Sequence, residues 1–256
     1  LAREKNQLLI NRALSQVRSV FWNLLSEDQR NNVSPDLERT LFHGLNDLHE
    51  DPAIKKTFFN AFRNVSITEN NIERLYQIWF EEDASIAAGI NFSENEMISL
   101  ATDLAIKRPE KAEEILDIQA ERIQNPDAKR RFEFIRPSLS PEESIRTAFF
   151  ESLKDEKNRE TESWVLGAVG NLHHPLRKQE ALRYILPSLD LLQEIQQTGD
   201  IFFPSRWLNA TLGSHNSADA VEIVSDFLDA HPDYNGQLRM KILQAVDQAK
   251  RASEIL

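Results

Sequence analysis

The positions of the prolines constrain the fold of this chain more than any other feature. Seven of the ten prolines stand at the front of a segment whose apolar residues recur at helical spacing. A proline in the first turn of a helix loses no hydrogen bond, because the amide at that position has no intrahelical acceptor. The seven are Pro35, Pro52, Pro109, Pro126, Pro141, Pro175 and Pro204. The pattern therefore predicts a succession of helices.

Polar residues near these positions are typical of helix N-termini. A side-chain oxygen directly before the first turn accepts a hydrogen bond from a free amide there. Ser93 with Glu96, and Ser140 with Glu143, fit the S/T-x-x-E capping box. Three candidate caps stand directly before a proline: Ser34, Asn125 and Ser140.

The predicted helix starts follow one another at intervals of about 16 residues, so two intervals span about 34 residues, the length of a helix-pair repeat. We find no alternating strand pattern and no tetratricopeptide or ankyrin consensus. The predicted fold class is all-α, an α-superhelix of HEAT- or armadillo-like helix pairs that forms a single solenoid domain over residues 1–256. A plain globular helical domain is the alternative.

Breaks in the helical pattern give further predictions. Pro187 lies inside a helical run and predicts a break or kink near Leu186, because it lacks the amide donor. Gly199 is predicted to end a helix with its own backbone in the left-handed conformation. Asn235-Gly236 resembles a hairpin turn, but a helical pattern follows it, so a helix boundary is the better interpretation.

Composition limits the partners of the chain. With 30 Lys and Arg against 41 Asp and Glu, the net charge is −11, which repels a nucleic-acid backbone. The chain has no cysteine, and no apolar stretch approaches the ~20 residues of a membrane span. It opens on Leu1, so we expect a fragment of a larger multidomain protein. The localisation stays unknown, because a targeting segment would lie upstream.

The sequence offers no recognisable catalytic apparatus. A zincin needs His-Glu-x-x-His on one helix, and the nearest string, at His49, lacks the second histidine, while His43 is poorly spaced from it. The adjacent His173 and His174 would point about 100° apart on a helix, so we predict cap or surface groups in an interhelical loop. Paired carboxylates such as Glu81-Glu82 are interpreted as solvated faces. A self-contained hydrolase is therefore disfavoured, with no catalytic residue and no metal site in the chain.

Several short motifs follow one another at fitting intervals in the second half of the chain. Their order and spacing resemble the C-terminal helical domain of zinc aminopeptidases of the aminopeptidase N type (the membrane alanyl aminopeptidase family, bacterial branch). The resemblance covers roughly residues 50 to 252. The motifs are Asn125-Pro126-Asp127, Asn158-Arg159-Glu160, Trp164-Val165, the run from Leu172 to Arg177, the run from Glu194 to Leu208, His215, Phe227-Leu228, the run from His231 to Tyr234, and the run from Lys241 to Gln244.

The resemblance implies a long α-superhelix that packs over a thermolysin-like catalytic domain of the same polypeptide. In that family the helical domain closes a cavity around the peptide substrate, and the zinc is bound by the catalytic domain. We therefore expect a non-catalytic domain that encloses the active-site cavity and helps to select and hold the peptide, with no cofactor in this chain. The alternative is a freestanding solenoid adaptor that binds a protein or peptide on its concave face.

Arginines are the natural candidates for substrate contact in such a domain. The carboxylate of a peptide suits a bidentate guanidinium, and the candidates in the family-like region are Arg177, Arg183 and Arg206. Their alternative role is an ordinary surface or interhelical salt bridge. Trp207 and Phe203 are predicted to be core anchors between helix pairs.

Overall fold

A computed structural model describes residues 4, 6–47, 51–81 and 89–256, without the side chain of residue 47. Throughout these ranges the regular structure is helical and contains no strand, so the all-α prediction is confirmed. Three short 3₁₀ turns, at Pro109–Lys111, Glu156–Arg159 and Pro175–Arg177, connect some of the helices. The α-helices are α1 Gln7–Asn23, α2 Glu27–Asp47, α3 Pro52–Val65, α4 Glu69–Glu81, α5 Glu94–Lys107, α6 Ala112–Arg122, α7 Pro126–Leu139, α8 Glu143–Ser152, α9 Glu162–Leu172, α10 Lys178–Asp190, α11 Leu192–Thr198, α12 Phe203–Leu212, α13 Ala218–Ala230 and α14 Gly236–Ser253.

The helices group into two compact units, Leu1–Gln124 and Asn125–Leu256. In the first unit, α3 packs on α1 and α2, and α5 packs on α4 and α6. In the second unit, α7 packs on α8 and α9, α12 packs on α9 and α14, and α13 packs on α10 and α14. Packing between helices that are close in sequence is the solenoid-like pattern that a helix-pair sequence predicts. The prediction of one domain over residues 1–256 stays a prediction.

Large aromatic side chains fill both cores. In the first unit Trp79 is fully buried, and its indole nitrogen donates to Gln119 Oε1 at 2.7 Å. In the second unit Trp207 and Phe203 are buried on α12, and the Trp207 indole donates to the carbonyl of Ser188 at 3.1 Å. The prediction that these two residues are core anchors is confirmed.

Several predicted helix starts are confirmed. Pro52 and Pro126 are the first residues of α3 and α7, and the side chains of Asp51 and Asn125 cap those helices. Ser93 caps α5 in a complete capping box with Glu96. Other predicted starts hold as well: Pro109 and Pro175 open 3₁₀ turns, Pro204 is the second residue of α12, and Gly236 opens α14 after the cap Asn235.

The predicted start at Pro35 is wrong, because Pro35 lies inside α2. The helix begins eight residues earlier, at Glu27. There Ser26 and Gln29 bond reciprocally: the Gln29 amide donates to Ser26 Oγ at 3.2 Å, and the Ser26 amide donates to Gln29 Oε1 at 2.9 Å. This S-x-x-Q pattern is itself a capping box and gave a better signal than the proline. The Ser34 hydroxyl donates to the Arg30 carbonyl at 2.7 Å and caps nothing.

Two further predicted boundaries need correction. The helix α8 begins at Glu143, and the Glu143 carboxylate pairs with Arg183, so the capping box with Ser140 does not form. Pro187 lies inside α10, which continues to Asp190, so the predicted break near Leu186 does not occur, and the predicted kink stays a prediction. The crowding of Pro187 on the preceding turn does not stop a helix whose far side is packed on α12 and α13.

Gly199 ends α11 with a φ of −94°, so the predicted left-handed conformation is wrong. The glycine is explained by close approach. A Cβ at this position would collide with the ring of Phe203 and touch the carbonyl oxygen of Ile195. Any larger residue would push the α11–α12 turn away from the core anchor Phe203.

Within the described part of the chain, none of the helices combines the length and the apolar composition that crossing a membrane requires.

Candidate functional site

Arg177 is buried in the second unit and points into the protein. Its guanidinium donates to the carbonyls of Ser138 at 3.0 Å, Leu139 at 2.9 Å and Ser140 at 3.3 Å. The last carbonyls of a helix have no intrahelical donor, so Arg177 satisfies the C-terminal end of α7. His174 begins this segment, and its Nδ1 accepts from the Leu176 amide at 3.2 Å, which confirms the predicted cap role of His174.

Arg146 reaches the same corner from α8. It donates to the carbonyls of Ser140 at 2.7 Å and Pro141 at 2.8 Å, and pairs with Glu180 at 2.6 Å. We call Arg146 and Arg177 the arginine corner. Burial lowers the pKa of Arg177 to about 10, and the neighbouring charge of Arg146 adds to the effect. Arg177 is therefore still cationic at neutral pH, but its donors are directed at the backbone.

The other two predicted site residues lie on the surface. Arg183 pairs with Glu143, and its Nε donates to the Glu180 carbonyl at 3.0 Å. Arg206 lies 3.8 Å from Asp200, and its guanidinium is 5.5 Å from the centre of the Phe202 ring. Arg183 thus contacts α8 and α10, near the arginine corner, whereas Arg206 contacts the turn before α12. The three guanidinium groups do not share a common partner.

A buried histidine pair is the most unusual polar feature of the second unit. His173 and His215 are 0% and 2% exposed, and Nδ1 of His173 lies 2.9 Å from Nε2 of His215. His173 has the cap role in an interhelical turn that the sequence predicts, but its side chain is buried and does not lie on the surface. It is the C-terminal cap of α9, and its carbonyl accepts a hydrogen bond from the Ser214 hydroxyl, which brings the neighbouring His215 inward.

Burial keeps both histidines neutral. It lowers the pKa of His215 to about 4, with the charge of Lys178 adding, and it lowers the pKa of His173 well below its ordinary value, with His215 adding. One ring donates to the other, so the pair retains one free N–H and one free lone pair. The atoms left over are Nε2 of His173 and Nδ1 of His215, and neither has a partner among the described residues.

The histidine pair does not extend to a metal site. A zinc site needs at least three protein ligands, and across residues 4, 6–47, 51–81 and 89–256 no group of three or more His, Asp or Glu is placed to hold a metal ion. His43 lies on the exposed surface of α2. His49, from the incomplete zincin string, and Glu82, from a carboxylate pair that is predicted to be solvated, lie outside the described residues.

An open groove between α10 and α13 was not predicted. It encloses about 430 Å³ and has an apolar floor with two carboxylates at its edge. A second groove, between α1 and α2 in the first unit, encloses about 340 Å³ and is lined almost wholly by apolar side chains. The α10–α13 groove is lined by Leu186, Asp190, Ile223, Asp226, Phe227, Ala230 and His231.

Sequence reasoning also missed the buried arginines that join successive helix pairs. Besides Arg146, Arg159 pairs with Glu194 at 2.6 Å, and Arg108 pairs with Glu69 at 2.6 Å. The partners stand 34 to 39 residues apart, which is about one helix-pair repeat. A search for arginine and glutamate at that separation would have indicated these pairs.

Comparisons with known proteins do not identify a family for this chain. No protein-family model matches the chain, and no curated protein sequence matches it. A stack of helices is used for many unrelated functions, so the architecture by itself does not identify an aminopeptidase domain.

Proposed function

We propose that this chain is the non-catalytic C-terminal helical domain of a zinc aminopeptidase. Its role is to enclose the active-site cavity and to help select and hold the peptide substrate. The zinc and the catalytic groups belong to an upstream thermolysin-like domain of the same polypeptide, which is the principal partner of this chain.

The proposal is supported by the positions of the residues that belong to the aminopeptidase-like motifs. Trp207 anchors α12, Arg177 closes α7, Arg159 joins the turn before α9 to α11, and His173 meets His215. These four motif residues hold successive helices together, whereas other residues of the same motifs, such as Leu176, Ile201 and Phe202, are exposed.

Among the three candidate arginines, Arg206 is the one best suited to bind a substrate. A peptide carboxylate would compete with Glu143 for Arg183, and it would have to open the corner at α7 to reach Arg177. At Arg206 it would displace only the 3.8 Å contact with Asp200, and the Arg206 side chain is 56% exposed. We therefore assign the substrate contact to Arg206 and a positioning role to Arg177.

Two observations test the proposal. The reading frame upstream of Leu1 should encode His-Glu-x-x-His. In the protein that this frame encodes, Arg206→Ala should raise KM for a tetrapeptide several-fold and leave KM for a single-residue amide unchanged. Arg130→Ala is the matched control, because Arg130 is an exposed arginine with only a local partner, Asp127. Equal effects of Arg206→Ala on both substrates would contradict the role of Arg206.

A freestanding adaptor is the second candidate, and the open apolar grooves favour it. The α1–α2 groove exposes Val20 and Val33, which are 43% and 41% exposed, and these side chains offer an apolar surface on which a partner's side chain can pack. A start codon directly before Leu1, with no zinc motif in the gene, would favour the adaptor over the aminopeptidase domain.

A further inference from the structure

The groove between α10 and α13 combines an apolar floor with a negative edge. Leu186 is 47% exposed, and Ile223, Phe227 and Ala230 follow one another at helical spacing on the facing side of α13. Residues 223 to 230 extend over about 10 Å of helix. The groove therefore has room for two turns of a short helix and for one or two of its large side chains.

The carboxylates at the edge have no cationic partner in this unit. Among the described residues, no Lys, Arg or His forms an ion pair with Asp190 or Asp226. The helix α13 carries four acidic residues and no basic one: Asp219, Glu222, Asp226 and Asp229. A ligand bound in this groove would therefore lie beside a carboxylate of each helix, Asp190 of α10 and Asp226 of α13.

Aromatic rings stand at the C-terminal end of the groove. The Phe227 and His231 rings lie 4.5 Å apart, and Tyr234 packs against Phe227 at 5.2 Å. Nδ1 of His231 lies 2.8 Å from the Phe227 carbonyl, which holds the ring against the last turn of α13. Phe227 is buried and His231 is exposed, so the His231 ring and the apolar floor offer a surface for the aliphatic stem of a Lys or Arg whose charged end lies beside the carboxylates.

We propose that the α10–α13 groove is a docking site for a basic amphipathic segment of a partner protein, with an aliphatic side chain on Leu186 and Ile223 and Lys or Arg beside Asp190 and Asp226. An anionic lipid surface or a nucleic acid is repelled by the same carboxylates, and a second copy of this chain also carries a net charge of −11. The site goes beyond the proposed function, since it needs neither zinc nor catalysis.

The test uses the full 256-residue chain and a fluorescent helical peptide of about twelve residues. The peptide carries leucine at positions 4 and 8, arginine at positions 3, 7 and 11, and alanine elsewhere. Fluorescence polarisation should show saturable binding that weakens with added salt, because the charges at the edge are exposed to solvent. A matched peptide with glutamate in place of each arginine should bind at least tenfold more weakly.

One double variant and one single variant locate the site, and a second double variant is the control. Asp190→Asn with Asp226→Asn should raise the Kd at least tenfold, and Leu186→Ser should raise it about fivefold. The control is Glu222→Gln with Asp229→Asn, which removes two charges from α13 outside the groove lining and should change the Kd less than twofold. All these side chains are exposed, so the thermal midpoints should stay close to that of the unaltered chain.

Several outcomes would overturn the docking site. These are the absence of saturable binding, equal affinity for the acidic peptide, equal effects of the two double variants, or binding that survives Leu186→Ser and high salt. Self-association of the chain through the groove, detected by light scattering and abolished by Leu186→Ser, would also overturn it. None of these results bears on the aminopeptidase proposal, because no hydrolysis is measured.

Discussion

At the residue scale, two buried arginine side chains donate hydrogen bonds to the carbonyls at the C-terminal end of α7 in the second unit. Arg177 and Arg146 together make five hydrogen bonds to the carbonyls of residues 138 to 141. Backbone acceptors that lose a donor in a buried place cost free energy, because no water replaces the bond. The arginine corner is therefore a structural element whose removal should be measurable as lost stability.

We predict that Arg177→Ala lowers the free energy of unfolding by about 3 kcal/mol, because the carbonyls of Ser138 and Leu139 lose this donor and that of Ser140 keeps only the bond from Arg146. Arg177→Lys should cost less, since an ammonium still reaches part of the corner. Urea unfolding followed by circular dichroism measures both. The exposed Arg183→Ala serves as control and should cost less than about 1 kcal/mol. Equal losses for Arg177→Ala and Arg183→Ala would refute the role of the corner.

The histidine pair gives the chain an acid-sensitive stability. The pKa values of His173 and His215 are lowered by burial in the folded state, so the unfolded chain binds more protons below about pH 6.5. The free energy of unfolding is therefore not reduced by the pair above about pH 6.5. It falls as the pH drops toward 4, by on the order of 3 kcal/mol for His215.

The measurement is the urea midpoint at pH 7.0, 5.5 and 4.5. The variant His215→Gln removes the titration but keeps a hydrogen-bonding side chain, so its midpoint should fall less steeply with acid than that of the unaltered chain. If His215→Gln shows the same acid slope as the unaltered chain, the pair does not contribute as we describe.

Trp207 tests the core directly. Replacing a fully buried tryptophan by alanine leaves a cavity, and Trp207→Ala should lower the free energy of unfolding by about 3–5 kcal/mol. Phe202 lies close by in the chain but is 58% exposed, so Phe202→Ala should cost less than about 1 kcal/mol. An unchanged thermal or urea midpoint for Trp207→Ala would contradict its burial.

At the element scale, a proline preceded by a capping side chain marks the helix start at Asn125-Pro126 and Asp51-Pro52, but the same pairing does not mark one at Ser34-Pro35 or Ser140-Pro141. The prediction failed at Pro35, where local propensity was outweighed by tertiary packing: Leu41 and Leu45 are buried in the core of the first unit. Burial of that apolar stripe stabilises a continuous α2 by more than the missing amide donor of Pro35 destabilises it.

This contrast between prolines leads to a prediction. Pro35→Ala should raise the free energy of unfolding by about 1–3 kcal/mol, because it restores a donor inside α2 and removes a steric conflict. Pro126→Ala, at the first position of α7, should leave stability within about 1 kcal/mol, since that amide has no intrahelical acceptor. Thermal unfolding of the two variants side by side decides the point, and a Pro35→Ala variant that is no more stable than the Pro126→Ala variant would contradict it.

At the scale of the whole molecule, the sequence predicted an all-helical fold from proline positions, capping residues and helical periodicity, and the helix-pair length reappears in the long-range contacts. Partners such as Arg146 and Glu180, or His173 and His215, stand 34 and 42 residues apart. The site was less predictable. Whether a given arginine faces solvent or a carbonyl depends on how neighbouring helices meet, and a single sequence does not encode that in any local pattern.

The α10–α13 groove illustrates the same limit. Its floor is formed by Leu186 on one helix and Ile223 on another, so neither residue alone signals a groove. The acidic composition of α13 was visible in the sequence, but that Asp226 has no cationic partner among the described residues follows only from the packing.

The central claim is that this chain shapes access to chemistry performed elsewhere in its own polypeptide. The most direct measurement is to capture the native protein with an antibody raised against this chain, and to determine its mass, its zinc content and its hydrolysis of an alanine anilide. We predict a polypeptide well above 29.5 kDa with one zinc ion and zinc-dependent hydrolysis. A native polypeptide of this chain's own mass, without zinc and without hydrolysis, would contradict the claim.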